Sequence, residues 1–345
     1  MSRYRIALLE PFPADGAALR AVLATDSRLE VIGVSADLAE LETAVGRNRP
    51  DLALVALSVL RRGSRRLSLA RLVLELRIKV ALLTDPVEHN TSTAQDTATR
   101  AMVEEGALEL IMRPPPGPAD AALRNTFLNL VVELAATTPA VPVVSASGLR
   151  AAGEARPSGV KAIGIVASAG GPNALTRLLR SELTVPVLLA QHIPPGFVES
   201  FARTLRTSTG RTVVIASQGQ PAEPSMVYLA PDSNDLGLNA ALQVQVGVRN
   251  NRRAHPSGDV LLGDLAVLGR SAVGVVLTGM GEDGLAGARA LKAAGGRVLV
   301  QDRESCLVYG MPQAVMSAGL ADECLGPEAL GVRLRSWILA GSNQS

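Results

Sequence analysis

The chain has 345 residues, 47% apolar and 19% charged, with 34 Lys and Arg against 32 Asp and Glu for a net charge of +2. That is enough apolar material for about two domain cores and excludes wholesale disorder, while balanced charge and only eight aromatic residues argue against a general nucleic-acid binder. Two cysteines and three histidines make neither a disulfide framework nor a zinc knuckle, and no apolar run reaches the roughly 18–20 residues of a membrane span.

The first stretch, RYRIALLEPFPADG, meets Pro after four apolar residues, too short for a signal-peptide core, so a soluble, cytoplasmic protein is expected. Short, almost wholly apolar runs follow at Ile6–Leu9, Leu29–Val34, Leu52–Leu57, Val80–Thr84 and Leu108–Ile111, the pattern of strands covered on both faces. Amphipathic stretches at Gly16–Ala24, Leu38–Val45 and Leu67–Leu76 lie between them, and a last amphipathic helix follows Pro118. Five strand–helix units over residues 1–135 predict an α/β domain with a doubly wound parallel sheet. Residues 136–160 are rich in Pro, Ser, Gly and Ala without a sustained period and predict a linker, although the VPVV within it has the composition of a strand.

From residue 161 to 345 the alternation begins again. Strand-like runs stand at Ile163–Ala167, Val185–Ala190, Thr212–Ala216, Met226–Leu229, Leu242–Val246, Val273–Leu277 and Arg297–Val300. Helical stretches are expected at Asn173–Leu183, Phe197–Leu205 and Gly287–Ala294. No helical period separates Met226–Leu229 from Leu242–Val246, so an antiparallel hairpin is expected around Ala230–Ala240 in an otherwise parallel, doubly wound second sheet.

Ligands of open α/β sheets bind beyond the carboxyl ends of the strands, which makes the residues after each strand the ones to inspect. Ser168-Ala169-Gly170-Gly171-Pro172 follows the first strand of the second half and Gln191-His192-Ile193-Pro194-Pro195 the next. Thr278-Gly279-Met280-Gly281-Glu282-Asp283-Gly284 follows Val273–Leu277. A serine, a histidine and an aspartate thus leave one sheet edge, the arrangement nucleophilic acyl transfer needs. In that reading His192 takes the Ser168 proton and Asp283 fixes the imidazole tautomer. Backbone N–H groups at the helix start around Ala169, Gly170 and Gly171, with that of Met280, receive the oxyanion. Plainer roles fit the same loops: a Ser-Ala-Gly-Gly turn cradles phosphate or caps a helix, and the glycine-rich loop suits a phosphate, a metal or a sharp turn. His255 in place of His192, and Asp302 in place of Asp283, also satisfy the spacing.

The segments IGIVASAGGP, QHIPPGFVESFARTL, YLAPDSNDLGL, HPSGDVL, VGVVLTGMGEDGLAG and ESCLVYGMPQAV stand in this order across residues 161–330. Together they resemble the catalytic domain of the chemotaxis protein-glutamate methylesterase family, CheB. The resemblance implies Ser168 as nucleophile, His192 as general base, Asp283 as orienting acid and Met280 as donor of an oxyanion-hole amide. It implies hydrolysis of γ-glutamyl methyl esters on the cytoplasmic helices of methyl-accepting chemoreceptors, and family members often also deamidate receptor glutamines. Other chemosensory proteins are implied as further partners; no cofactor, metal, nucleic acid or membrane insertion is. Ala169 stands where the family frequently has Thr, Glu282 where Asn is usual and Asn234 where His is common. None of these removes the triad, so activity is expected. The alternative is a non-catalytic chemosensory scaffold with a relic site, which an intact triad beside an erased phosphosite disfavours.

That erased phosphosite lies in the first half, whose segments IALLEPFP, EVIGVSADLAELETAV, RPDLALVAL, KVALLTDP and GALELIMRPP resemble the receiver domain that precedes this catalytic domain in the family. A working receiver needs an acid pair after strand one, an aspartate after strand three and a lysine after strand five. Here those places hold Glu10 and Pro11, Ala56, and Arg113, with Thr84 keeping the hydroxyl position. Ala56 cannot accept a phosphoryl group, a lone Glu10 is a poor Mg²⁺ site, and Arg113 keeps the charge but changes its shape. The reading is a pseudo-receiver, not controlled by its own phosphorylation. Asp51 precedes the third strand, at the wrong sheet edge to substitute. The cluster Arg61-Arg62-Gly63-Ser64-Arg65-Arg66 reads as a solvated loop or, more sharply, as a docking patch for an acidic partner or for the other domain.

Overall fold

Near-continuous apolar runs become the strands of two parallel sheets. The computed structural model describes residues 3–61, 72–73, 76–84, 107, 109–114, 121–136, 159–248 and 255–342. The chain divides into two units, Met1–Pro139 and Ala140–Ser345. The predicted helix Leu67–Leu76, the linker 136–160 with its VPVV, and the arginine cluster past Arg61 lie wholly or mostly outside the described residues.

The first unit contains β1 (Tyr4–Leu9), β2 (Leu29–Ser35), β3 (Leu52–Ala56), β4 (Val80–Thr84) and β5 (Glu109–Met112). All pairings are parallel, in the order β2-β1-β3-β4-β5, the flavodoxin-like doubly wound order. Central β3 and β4 are buried at every residue, which is why they read as uninterrupted apolar runs. Helix α1 (Pro13–Leu23) opens with Pro in its first turn, where the missing N–H costs nothing. In α2 (Leu38–Arg47) the Asp37 side chain caps the start by accepting from Glu40 N–H at 3.0 Å.

The second unit has nine described strands. These are β6 (Ala162–Ala167), β7 (Val187–Gln191), β8 (Thr212–Ile215), β9 (Met226–Leu229), β10 (Asp235–Leu238), β11 (Val244–Gly247), β12 (Ala272–Val276), β13 (Arg297–Gln301) and β14 (Glu323–Leu325). Seven form one parallel sheet in the order β14-β13-β12-β6-β7-β9-β8, and β10 and β11 form a separate antiparallel ribbon. The ribbon corrects one expectation: Met226–Leu229 is not an arm of the hairpin. Val227, Tyr228 and Leu229 are buried and pair in parallel with both β7 and β8, as a strand covered on both faces does, and β11 takes Asp235–Leu238 as its partner instead.

One close approach positions the site. Gly164 of β6 and Gly274 of β12 are register partners, and helix Gly258–Leu265 lies against them. A Cβ at Gly164 would stand 2.4 Å from Leu265, and one at Gly274 would stand 3.0 Å from Leu262. The paired glycines thus let two leucines sink onto the middle of the sheet, each burial contributing about 1.5–3 kcal/mol. The start of that helix is thereby fixed near the carboxyl edge. Among the described residues, no helix is long and apolar enough to cross a membrane.

Candidate active site

Strand β6 lies between β12 and β7, where the sheet's strand order reverses, the usual place for a ligand crevice. Ser168 follows β6, His192 follows β7, and Asp283 lies on the loop after β12. Ala167 and Gln191 are register partners, so Ser168 and His192 take the next step outward on adjacent strands, whose spacing is about 4.8 Å. The Ser168 N–H donates to Thr278 O at 3.0 Å, tying β6 to the β12 loop, and the His192 N–H donates to Ala167 O at 2.8 Å.

Asp283 is the most heavily bonded member. Its Oδ2 lies 3.0 Å from His192 Nε2 and accepts from Gly258 N–H at 2.6 Å. Its Oδ1 accepts from Asp259 N–H at 3.1 Å and from the Ser257 hydroxyl at 3.2 Å. The carboxylate therefore sits on the N-terminus of helix Gly258–Leu265, where free amides and the helix dipole favour negative charge. Burial acts to raise the Asp283 pKa, but the hydrogen bonds from His192, Gly258 and Ser257, with the attraction of His192, outweigh it, and the net shift is downward. An ionised carboxylate only accepts, so the ring nitrogen facing it carries the proton and Nδ1 is left for the serine side. Among the described residues the Ser168 hydroxyl has no hydrogen-bond partner. Such bonds are often open in unliganded sites and close around substrate.

Three buried polar side chains hold the loops in register. Gln191 Nε2 donates to Ser168 O at 2.9 Å and to His192 O at 2.7 Å. The Thr278 hydroxyl donates to Ala169 O at 2.8 Å and accepts from Val308 N–H at 3.0 Å. Gln301 Oε1 accepts the Thr278 N–H at 2.9 Å. The N–H groups of Ala169, Gly170 and Met280 carry no hydrogen bond among the described residues, as an oxyanion hole requires. Gly171 differs from expectation. Its N–H is used within the turn, donating to Ser168 O at 2.8 Å, and its missing side chain instead makes room for Gln191.

The two rival residues lie elsewhere. His255 Nδ1 bonds Asp235 Oδ1 at 2.8 Å, while Asp302 Oδ1 closes its own turn by accepting from the Ser305 N–H at 2.9 Å. Sequence reasoning missed Ser257, Gly258 and Asp259. The one available signal was the Ser-Gly-Asp step inside HPSGDVL, a capping serine before a helix. No group of three or more His, Cys, Asp or Glu is placed to hold a metal ion among the described residues.

In the first unit, Glu10 follows β1, Ala56 ends β3, Thr84 ends β4 and Arg113 follows β5, all at the carboxyl edge. Glu10 is 2% exposed; its Oε2 lies 2.5 Å from Arg113 Nη2 and its Oε1 accepts from Phe12 N–H at 3.2 Å. The acid that follows β1 is thus held by the arginine that follows β5. Pro11 supplies no second carboxylate, and Ala56 and Thr84 are buried. Asp51 is turned to the opposite edge, where its Oδ2 accepts from Arg5 N–H at 2.7 Å.

A parallel α/β sheet with serine, histidine and a hydrogen-bonded aspartate at its switch point has the form of a hydrolase. A family model described as CheB methylesterase matches residues 163–334. The protein-glutamate methylesterase/protein-glutamine glutaminase 3 of Anaeromyxobacter dehalogenans is 34% identical, over 97% of this chain and 99% of the relative. The protein of the same name numbered 4 in Myxococcus xanthus is also 34% identical, over 96% of each chain. The CheB methylesterase catalytic domain of Thermotoga maritima is 34% identical with a TM-score of 0.48, covering 51% of this chain and 97% of that one. The chain therefore belongs to the CheB methylesterase family of enzymes.

Proposed function

We propose that residues 161–345 hydrolyse γ-glutamyl methyl esters on the cytoplasmic helices of chemoreceptors, with Ser168, His192 and Asp283 as the catalytic triad. The observation that carries this reading is the hydrogen bond from His192 to an Asp283 locked by three groups of a helix start, one strand step from Ser168. In the reaction, Ser168 Oγ attacks the ester carbonyl while His192 Nδ1 takes its proton. The oxyanion is received by the free amides near Ala169, Gly170 and Met280. The proton passes from His192 to the departing methoxide, giving methanol, and a water deprotonated by His192 then clears the acyl-enzyme. The same steps with an ammonia leaving group deamidate glutamine, the second activity in the names of the relatives.

Residues 1–135 act in this reading as a pseudo-receiver in a cytoplasmic signalling protein, joined by the segment 136–160. Regulation does not run through their phosphorylation, because Ala56 offers no acceptor and Glu10 is held by Arg113. The test is methanol release from methylated receptor. Release by the wild type and none by Ser168→Ala or His192→Ala is expected. A folded wild type that releases none from any receptor would instead make the protein a scaffold.

A further inference from the structure

The second histidine–aspartate pair of this unit has no role in the chemistry above, yet it is built with care. Asp235, at the start of β10, is 0% exposed. Its Oδ1 takes both the His255 Nδ1 bond and the Ser257 N–H, each at 2.8 Å. One carboxylate oxygen thus clamps two residues of the segment that leads into helix Gly258–Leu265. The following groups of that segment, the Ser257 hydroxyl and the Gly258 and Asp259 amides, are the ones that grip Asp283. The connection runs without a break: His255 to Asp235, Asp235 to Ser257, Ser257 to Asp283, Asp283 to His192.

A second nucleophilic centre is excluded by the same geometry. Ser257 is 1% exposed, and its hydroxyl is committed to Asp283 Oδ1 while accepting from Val260 N–H at 3.4 Å. A hydroxyl so enclosed meets no substrate. What the pair can do is mechanical. A buried carboxylate with two donors on one oxygen restricts the position of a turn, and catalytic constellations need their supports held to within about 0.5 Å. Without the His255 side of the clamp, Asp235 Oδ1 keeps the Ser257 N–H but loses its bond to the residue two positions before it. Asp283 then loses the fixed angle at which it selects the imidazole tautomer.

We propose that His255 and Asp235 are positioning residues of the esterase site, holding the Ser257–Asp259 turn that fixes Asp283 and, through it, the tautomer of His192. This rests on the triad reading above, so the experiment reads both activity and ring state. The chain has three histidines, His89, His192 and His255, so ¹⁵N-histidine labelling of the full chain gives a spectrum simple enough to assign by substitution. Its nitrogen shifts report which ring atom of His192 carries the proton. In the wild type, His192 is expected as the Nε2–H form.

In His255→Leu and Asp235→Asn, a mixture of tautomers is expected, with kcat for methanol release from methylated receptor down about tenfold or more and KM within about twofold. His255→Asn, whose amide N–H falls near the place of Nδ1–H, is expected to restore the single tautomer and most of kcat. That rescue separates positioning from simple loss of folding, which the thermal melt of each variant also monitors. The proposal is overturned if folded His255→Leu and Asp235→Asn keep the wild-type tautomer and kcat, or if His255→Asn fares no better than His255→Leu. A wild type inactive on receptor but with a pure Nε2–H ring that turns mixed in His255→Leu would overturn the esterase reading and leave the clamp standing.

Discussion

Gly258 and His192 share an acceptor: the amide of one, at 2.6 Å, and the ring of the other, at 3.0 Å, meet on Asp283 Oδ2. The backbone of one helix start and the imidazole of a strand end are thereby placed relative to each other by one oxygen atom. A Cβ at Gly258 would lie 2.3 Å from Val166 Cγ1 and 3.0 Å from that same Oδ2. Gly258→Val is therefore expected to push the helix start off Asp283, costing about 1–3 kcal/mol of stability and most of the activity. Urea denaturation and methanol release check this; wild-type values for both would contradict it.

Asp283→Asn keeps the shape but puts an amide where, in the proposed triad, a carboxylate selects the tautomer. A fall in kcat of roughly a thousandfold or more is expected, with KM little changed, since the substitution acts on proton transfer and not on binding. Steady-state kinetics on methylated receptor decide it.

The lowered pKa of Asp283 makes a statement about acid stability. A carboxyl whose folded value lies below its unfolded value, about 3.9, contributes stability that is complete above the unfolded value and is lost as pH falls through the folded one. The stability advantage of the wild type over Asp283→Asn should accordingly be constant near neutrality and shrink below about pH 4. Thermal melts from pH 7 to 2.5 measure it, and a difference that stays constant throughout would contradict the assignment.

On the pseudo-receiver reading proposed above, an acceptor at position 56 alone should not create a phosphorylation switch. Ala56→Asp supplies a carboxylate beside a Glu10 already bound by Arg113 and without a second acid at Pro11. Neither wild type nor Ala56→Asp is expected to be labelled by acetyl phosphate with Mg²⁺. Labelling of the wild type would overturn the pseudo-receiver reading, and labelling of the variant would show that the Arg113–Glu10 pair does not block metal binding.

The parts legible in the sequence were those where physics leaves a side-chain trace. Strands buried on both faces, such as β3, β4, β7 and β12, are apolar at nearly every position and so stand out. β10 was missed because it opens with the buried Asp235 and carries Gly237 against Asp264, neither of which resembles a strand. β14 was missed as three half-buried residues at a sheet edge. Helix Gly258–Leu265 was invisible for a related reason: its Gly and Asp suppress the helical period while its leucines serve the sheet glycines.

The loops that carry Ser168, His192 and Asp283 were legible because each follows a strand at one edge of the sheet. The supports were not. Gly258 and Asp259 act through backbone N–H groups, which every residue but proline carries, and Gln191 and Gln301 act through burial that composition does not encode.

The most direct measurement of the central claim is mass spectrometry of the full chain after treatment with a fluorophosphonate, which reacts with a serine only when a base activates it. One adduct, mapped to Ser168 and absent from His192→Ala, is the predicted result. An adduct on a different serine, or none on Ser168 in a protein that still releases methanol from methylated receptor, would contradict it.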